Sequence, residues 1–99
     1  MSIDNNRKNK NNSEDAHYVY LLLCKDNTLY CGYTNNLIKR INTHNSGKGA
    51  RYTKCRLPVK LIYYESFSSK SSALKREIKI KKFSKKEKLK LIQQRNDLL

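Results

Sequence analysis

Residues 18–33 of this chain, YVYLLLCKDNTLYCGY, specify two strands and the turn between them. Residues 18–24 and 28–33 are rich in aromatic and aliphatic side chains, a composition typical of β-strands. Lys25-Asp26-Asn27 between them is a turn sequence. Gly32, inside the second strand, indicates a bulge or a close approach of another group to the backbone. The stretch therefore predicts a β-hairpin.

The length of the turn decides which side chains share a face of this hairpin, because strand side chains alternate between faces. A two-residue turn places Tyr20 and Tyr30 on opposite faces. A three-residue turn pairs Cys24 with Thr28, places the two tyrosines on one face and sets Gly32 opposite Tyr20. The residues alone leave both registers open.

The remaining sequence predicts three helices and one more strand. These elements are a helix capped by Asn35 or Asn36, a strand over residues 59–65, a helix over residues 72–83 and a last helix that starts at Ser84. Ser84 and Glu87 fit a capping box, and a basic loop occupies residues 48–57. The predicted order is β-β-α-β-α-α, an α+β fold with helices against an antiparallel sheet.

The charge of the chain indicates a polyanionic partner. The 99 residues carry a formal net charge of +14. Acidic and basic side chains cancel within residues 1–16, which are predicted to form a disordered polar tail. Residues 17–99, the predicted domain, therefore carry the whole excess, and nucleic acid is the leading candidate for the partner. A general lysine-rich composition bias is the alternative explanation.

The apolar pattern and the cysteines exclude several classes of protein. No apolar run approaches the ~20 residues needed to cross a bilayer, and no signal peptide precedes the predicted domain. A cytoplasmic location is therefore expected. The three cysteines, an odd number without close pairing, argue against a disulfide framework and against a structural zinc site.

Tyrosines are the first candidate functional groups. Five of the seven crowd the hairpin and the basic loop: Tyr18, Tyr20, Tyr30, Tyr33 and Tyr52. Tyrosine stacks on bases and can act as an acid or a base, but it is also an ordinary strand residue. The loop GKGARYTK, residues 47–54, lacks the spacing of a nucleotide-binding P-loop and predicts a basic, aromatic contact with nucleic acid.

Two further candidates lie on predicted helices. Arg40 and His44 are one turn apart on one helix face, where a guanidinium can clamp phosphate and an imidazole can transfer protons. A solvated helix face is the alternative. Glu77 shares a helix stripe with apolar residues, so its carboxylate is expected to turn partly inward, where it can bind Mg²⁺. An ion pair with Lys81 is the alternative there.

Taken together, these residues resemble the GIY-YIG nuclease superfamily, and most closely its stand-alone bacterial proteins. The similarity covers about residues 17–92 and is carried by HYVYLLLCKDNTLYCGYT (17–34), HNSGKGARYT (44–53) and KREIKIKKFSKKEK (75–88). It implies a three-stranded antiparallel sheet flanked by helices, and hydrolysis of phosphodiester bonds with one divalent ion, Mg²⁺ or Mn²⁺. The implied substrate is DNA, including structured or branched DNA in repair or processing.

The resemblance also implies roles for individual residues. The implied catalytic residues are Tyr20, Tyr30, Arg40 and His44, and the implied metal ligand is Glu77. Nucleic-acid contacts are expected from Tyr33, Lys48, Arg51, Tyr52, Lys54 and Arg76. A phenol beside a metal ion and Arg40 is expected to lose its proton more readily than its usual pKa of about 10 allows. The resemblance therefore predicts the three-residue turn, or a bulge with the same effect, because both motif tyrosines must then lie on one face.

Two motif positions differ from the family pattern. Tyr18 stands in place of the glycine of the GIY motif, and Cys31 in place of the isoleucine of the YIG motif. Substrate preference is expected to be broad or set by a partner protein, since nucleases of this family usually take specificity from an attached DNA-binding domain. The competing functions are a nucleic-acid-binding module with little or no cleavage and a structural protein of the ribosome or nucleoid.

Overall fold

The computed structural model describes residues 16–98 of the chain, with side chains described through residue 95. Almost the whole of the predicted disordered tail, residues 1–15, lies outside the described residues. Within the described part, strands β1 (His17–Leu23), β2 (Leu29–Thr34) and β3 (Lys60–Phe67) form one antiparallel sheet in the order β2-β1-β3. No helix in residues 16–98 has the length and apolar character needed to span a bilayer.

Four helices accompany the sheet in the described residues. They are α1 (Leu37–Asn45), α2 (Arg51–Lys54), α3 (Lys70–Lys81) and α4 (Lys85–Leu98). The predicted α+β fold with a three-stranded antiparallel sheet is therefore confirmed, with one helix more than expected. Helix α2 lies inside the predicted basic loop. Because it is a single turn, it is too short to show the apolar periodicity by which helices are predicted.

The hairpin has the three-residue turn. The Cys24 amide donates to the Thr28 carbonyl at 2.9 Å, and Asn27 in the turn has a φ of 68°. Tyr20 is paired with Gly32 in the register of β1 and β2. Tyr20 and Tyr30 therefore share one face of the sheet, as the resemblance requires.

Side-chain caps set the helix boundaries. The Asn36 side chain accepts from the Lys39 amide at the start of α1. Ser84 and Glu87 form the predicted capping box at α4, with amide-to-side-chain distances of 3.1 and 2.8 Å. Helix α3 begins two residues earlier than predicted, because the Ser69 side chain accepts from the Ser72 amide and caps it there.

The sheet separates two apolar clusters. On one face, called the α1 face, Tyr20 and Leu22 of β1 pack with Leu37 and Ile41 of α1. The opposite face is called the α3 face. There Val19 and Leu21 of β1 and Cys31 of β2 pack against Ala73 and Ile80 of α3, and α4 adds Leu91 and Ile92. Helices thus cover both faces, and the edge strand β2 lies between the two layers.

Candidate active site

A hydrogen-bonded group of three polar side chains lies on the α1 face, where two of them are buried and Arg40 is half-buried. The Tyr20 hydroxyl lies 2.9 Å from His44 Nε2, and Arg40 Nε donates to the same hydroxyl at 3.4 Å. Tyr20 is 1% exposed and His44 is fully buried. A solvated helix face, the alternative for Arg40 and His44, is therefore wrong for His44.

Local sequence explains how these side chains meet. Arg40 and His44 are four residues apart on α1, so both turn toward the sheet on the same side of the helix. Tyr20 reaches across β2 because Gly32 has no side chain. A Cβ on Gly32 would lie 2.5 Å from the Tyr20 hydroxyl oxygen and 2.6 Å from Tyr20 Cζ. The glycine predicted to mark a close approach therefore makes room for the phenol.

Burial dominates the acid–base properties of this group. It raises the pKa of Tyr20 to about 12, although the hydrogen bond and charge of Arg40 act to lower it. Burial thus opposes loss of the Tyr20 proton in the protein alone, and the expectation for a phenol beside a bound metal ion stays a prediction. Burial and the Arg40 charge both hold the pKa of His44 below its usual value of 6.5, so the imidazole is neutral at neutral pH.

Two further aromatic residues border the buried group. The Tyr30 ring lies 5.4 Å from the His44 ring and 6.4 Å from the Tyr20 ring, measured between centroids. Its other side stacks on Tyr52 at 5.9 Å. The Arg56 guanidinium covers Tyr52 at 3.9 Å from the ring centroid and pairs with Asp26. Tyr30 is thus held beside His44 by a stack that ends in an arginine.

An open cavity of about 220 Å³ lies beside Arg40. Its lining consists of polar and basic residues: Thr34, Asn35, Asn36, Lys39, Arg40 and Thr43. No carboxylate lines it, and the positive charges of Lys39 and Arg40 both face it. Such a lining suits an anion the size of a phosphodiester group.

Glu77 comes from the opposite layer of the molecule. It lies on α3, its side chain is 15% exposed, and its Oε2 is 3.3 Å from Lys81 Nζ. The carboxylate is therefore turned partly inward, as predicted, and also makes the ion pair that was the alternative. Burial is the main cause that raises the pKa of Cys31 to about 11, and the Glu77 charge is the second cause. The same charge also raises the pKa of Tyr20. Its charge therefore affects groups on both faces of the sheet.

Four predicted catalytic residues, Tyr20, Tyr30, Arg40 and His44, are thus brought together. Glu77 lies on α3, which packs on the opposite face of the sheet. Within residues 16–95, Glu77 makes no hydrogen bond or ion pair with the other four. The same residues contain no cluster of three or more His, Cys, Asp or Glu side chains suited to a metal ion. A metal ion here would have Glu77 as its carboxylate ligand.

The predicted nucleic-acid contacts are divided between two regions. Lys48, Arg51 and Lys54 are exposed on or before α2, on the α1 side of the molecule. Tyr33 lies on the α3 face, where its hydroxyl is 2.8 Å from His17 Nδ1. The Arg76 guanidinium makes two hydrogen bonds to Glu65, at 2.8 and 3.0 Å.

Thr53 is a site residue that the sequence did not single out. It is fully buried, and its Oγ1 lies 2.9 Å from His44 Nδ1. Gly49 packs against the same imidazole, since a Cβ there would lie 2.9 Å from the His44 Cα. Both belong to the GKGARYTK loop, which indicated a contact with nucleic acid but carried no signal for a partner of His44.

Comparisons with known proteins identify the family of the chain. The sequence profile of the GIY-YIG catalytic domain matches residues 16–90. A UPF0213 protein of Staphylococcus haemolyticus is 62% identical over 79 residues, which cover 80% of this chain and 96% of that protein. A UPF0213 protein of Bacillus licheniformis is 53% identical over 81 residues, covering 82% and 84%.

Two solved structures share the fold. The solution NMR structure of a UPF0213 protein from Bacillus halodurans is 44% identical, with a TM-score of 0.52 over 79% of this chain and 83% of that one. A solution NMR structure from E. faecalis is 40% identical, with a TM-score of 0.57 over 82% and 86%. The match over residues 16–90 and these relatives show that the chain belongs to the GIY-YIG nuclease family.

Proposed function

We propose that this protein is a divalent-metal-dependent endonuclease that hydrolyses phosphodiester bonds in DNA. The observation that carries the proposal is the buried contact of Tyr20 with His44 and Arg40 beside a cavity lined by cations. A protein that only binds nucleic acid has no need to bury a neutral imidazole against a phenol. The charge of +14 supports the choice of a polyanionic substrate.

The geometry supports a proton path that avoids a free phenolate. With a pKa of about 12, Tyr20 is almost entirely protonated near neutral pH. As Tyr20 takes a proton from the attacking water, it passes its own proton to His44 Nε2, 2.9 Å away. The resulting hydroxide attacks phosphorus, the bond to the leaving sugar oxygen breaks, and that oxygen takes a proton from solvent. The water proton therefore ends on Tyr20, and the proton that Tyr20 held before ends on His44 Nε2.

Arg40 would bind the scissile phosphate. Its guanidinium contacts the Tyr20 hydroxyl through Nε, and Arg40 also lines the 220 Å³ cavity, so a phosphate bound there would lie beside the residue that contacts the phenol. A fixed positive charge at that position stabilises the charge that develops on the phosphate oxygens. Lys39 in the same lining adds a second cation.

The donor set fits a hard divalent ion held mainly by substrate. Mg²⁺ typically keeps several waters and takes one or two protein carboxylates plus phosphate oxygens. Glu77 supplies one such carboxylate, with a side chain that is 15% exposed. When bound, the ion would polarise the phosphate and stabilise the leaving oxygen. Binding of the ion by the protein alone is expected to be weak.

The proposal includes structured or branched DNA as substrate and a role in DNA repair or processing. It also includes a preference that is broad or set by a partner protein. The exposed cations of α2 and the preceding loop lie on the same face of the sheet as Tyr20, where they can bind strands that flank the cut. These contacts reach phosphates rather than bases, which suits recognition of shape.

The first experiment compares cleavage of single-stranded, duplex and branched DNA in Mg²⁺ and in Mn²⁺. The wild type is expected to cut at least one of these, and Glu77→Gln is expected to lose cleavage while keeping its affinity for DNA. Glu87→Gln is the matched control. It removes the same charge from an exposed position, and glutamine still fits the capping box at α4.

The outcomes separate the functions. Equal loss in both variants would show a general effect of charge. Binding without cleavage of any substrate by the wild type would favour the nucleic-acid-binding module.

A further inference from the structure

We propose that Thr53 is a positioning residue that holds His44 in the Nδ1-protonated tautomer, so that Nε2 is free to accept the Tyr20 proton. The tautomer is a property of the protein alone. Only its consequence for cleavage rests on the proposed function. The inference comes from the directions that hydrogen bonds must take along a chain of buried groups.

The direction of each bond follows from the two ends of the chain. Arg40 Nε can only donate, and it donates to the Tyr20 hydroxyl oxygen. At the other end, the Thr53 hydroxyl donates to the Ala50 carbonyl, which can only accept, at 2.9 Å. The Thr53 oxygen is then left to accept from His44 Nδ1–H, at 2.9 Å.

With its proton on Nδ1, His44 presents a bare Nε2 to Tyr20. The Tyr20 hydroxyl therefore donates to Nε2, and the four hydrogen bonds that link these five groups all run in one direction, from Arg40 to Ala50. The opposite tautomer would donate from Nε2 to Tyr20, whose oxygen already accepts from Arg40. Among the residues that the structure describes, the Tyr20 proton would then have no acceptor, in a side chain that is 1% exposed.

Packing makes the tautomer durable. His44 and Thr53 are both fully buried, so water cannot replace the threonine as partner of Nδ1. Gly49 packs so closely against His44 that a Cβ there would lie 2.9 Å from His44 Cγ. Helix α2 thus has a specific task. Its single turn brings Thr53 to His44 and keeps the threonine hydroxyl pointed at Ala50.

The same bond would assist proton transfer. When His44 accepts the Tyr20 proton at Nε2, the imidazolium carries protons on both nitrogens, and Thr53 accepts the one on Nδ1. Without that acceptor, the charged imidazole would be buried with an unpaired donor. Thr53 therefore acts through His44 and does not touch the substrate.

The test measures the imidazole ¹⁵N shifts and Nδ1–H or Nε2–H couplings of His44 by NMR near neutral pH, without DNA. The wild type is expected to show a protonated Nδ1 and a bare Nε2. Thr53→Val keeps the shape but removes the hydroxyl, and it is expected to move the proton wholly or partly to Nε2. Thr53→Ser is expected to restore the wild-type pattern. A protonated Nε2 in the wild type, or an unchanged pattern in Thr53→Val, overturns the inference.

Cleavage supplies the second readout. Thr53→Val is expected to lower the single-turnover cleavage rate by roughly 10- to 100-fold at unchanged DNA affinity, as for other partners that orient functional histidines. Thr53→Ser is expected to recover most of the rate. If the NMR result holds but the wild type cuts no DNA, the proposed function fails and the tautomer stands. If Thr53→Val does not fold, the spectra of the wild type and of Thr53→Ser still test the inference, because both should show a protonated Nδ1 and a bare Nε2.

Discussion

Tyr20 on the α1 face is buried and Tyr63 on the α3 face is half-buried. Each lies beside an arginine, and burial is the main cause that raises the pKa of each to about 12. Their partners differ. Tyr63 donates to the Glu65 carboxylate, which also receives both hydrogen bonds from Arg76. Tyr20 instead donates to a neutral imidazole, and its arginine, Arg40, has no carboxylate within ion-pair distance among the described residues.

This difference between the two tyrosines indicates which feature marks a functional site. Around Tyr63, the Glu65 carboxylate pairs with Arg76 and accepts from the phenol, and this network holds α3 against β3. Around Tyr20, the Arg40 charge is left over and faces an open cavity. A perturbed tyrosine is therefore common to both regions. Of these two tyrosines, only Tyr20 contacts both a proton acceptor, His44, and an arginine that lines a cavity without a paired carboxylate.

The largest expected effect separates the two tyrosines directly. Tyr20→Phe removes the hydroxyl that contacts both His44 and Arg40, and cleavage is expected to fall by about 10²- to 10⁴-fold. Tyr63→Phe is expected to leave cleavage unchanged and to lower the free energy of unfolding by about 1 kcal/mol. Single-turnover cleavage and urea unfolding of both variants measure this. A loss of cleavage in Tyr63→Phe equal to that in Tyr20→Phe would remove the distinction.

A smaller effect is expected from the backbone beneath Tyr20. In Gly32→Ala the new methyl group would lie 2.5 Å from the Tyr20 hydroxyl oxygen, so the phenol must move away from His44. Misplacement on the scale of 1 Å typically costs about 10²-fold in rate. The measurement is the cleavage rate per folded molecule, with folding checked by circular dichroism.

Gly47→Ala is the matched control. Gly47 has a φ of +83° and no atom near its missing Cβ, so alanine there should cost about 1–2 kcal/mol of stability without a change in rate per folded molecule. Equal rates for Gly32→Ala and the wild type would show that the position of the phenol does not matter.

The smallest effect concerns stability against pH. The folded-state pKa of His44 lies below its usual value of 6.5, so the unfolded chain binds the proton first. Stability should therefore fall as the pH drops below 6.5, by up to about 1.4 kcal/mol per pH unit, until the lowered pKa is passed. The neighbouring charge that opposes protonation is that of Arg40.

The α3 face should respond in a more acidic range. Burial acts to raise the pKa of Glu65, but the hydrogen bonds from Arg76 and Tyr63 outweigh it and hold it below its usual value of 4.5. Its contribution is present above pH 4.5 and lost as the pH falls through the lowered value. Urea unfolding measured across both pH ranges checks this. His44→Gln should remove only the loss of stability below pH 6.5, and Glu65→Gln only the loss below pH 4.5. A first loss that persists in His44→Gln contradicts the assignment.

Local sequence determined the elements of this fold. The hairpin, the cap at Asn36 and the capping box at Ser84 depend on residues within a few positions of one another, so they follow from short-range sterics and hydrogen bonding. The charge excess and the motif spacing pointed to the family in the same way, and the structure then brought Tyr20, Arg40 and His44 into contact.

The pKa values and mutual contacts of those side chains depend on the tertiary structure. Packing of α1 on the sheet removes water from His44 and Tyr20. This burial lowers the pKa of His44 and raises the pKa of Tyr20, because it disfavours the charged form of each. Thr53 became a partner of His44 only when a single helical turn, too short to predict, placed its hydroxyl 2.9 Å away. Such contacts join residues distant in sequence, and no local pattern encodes them.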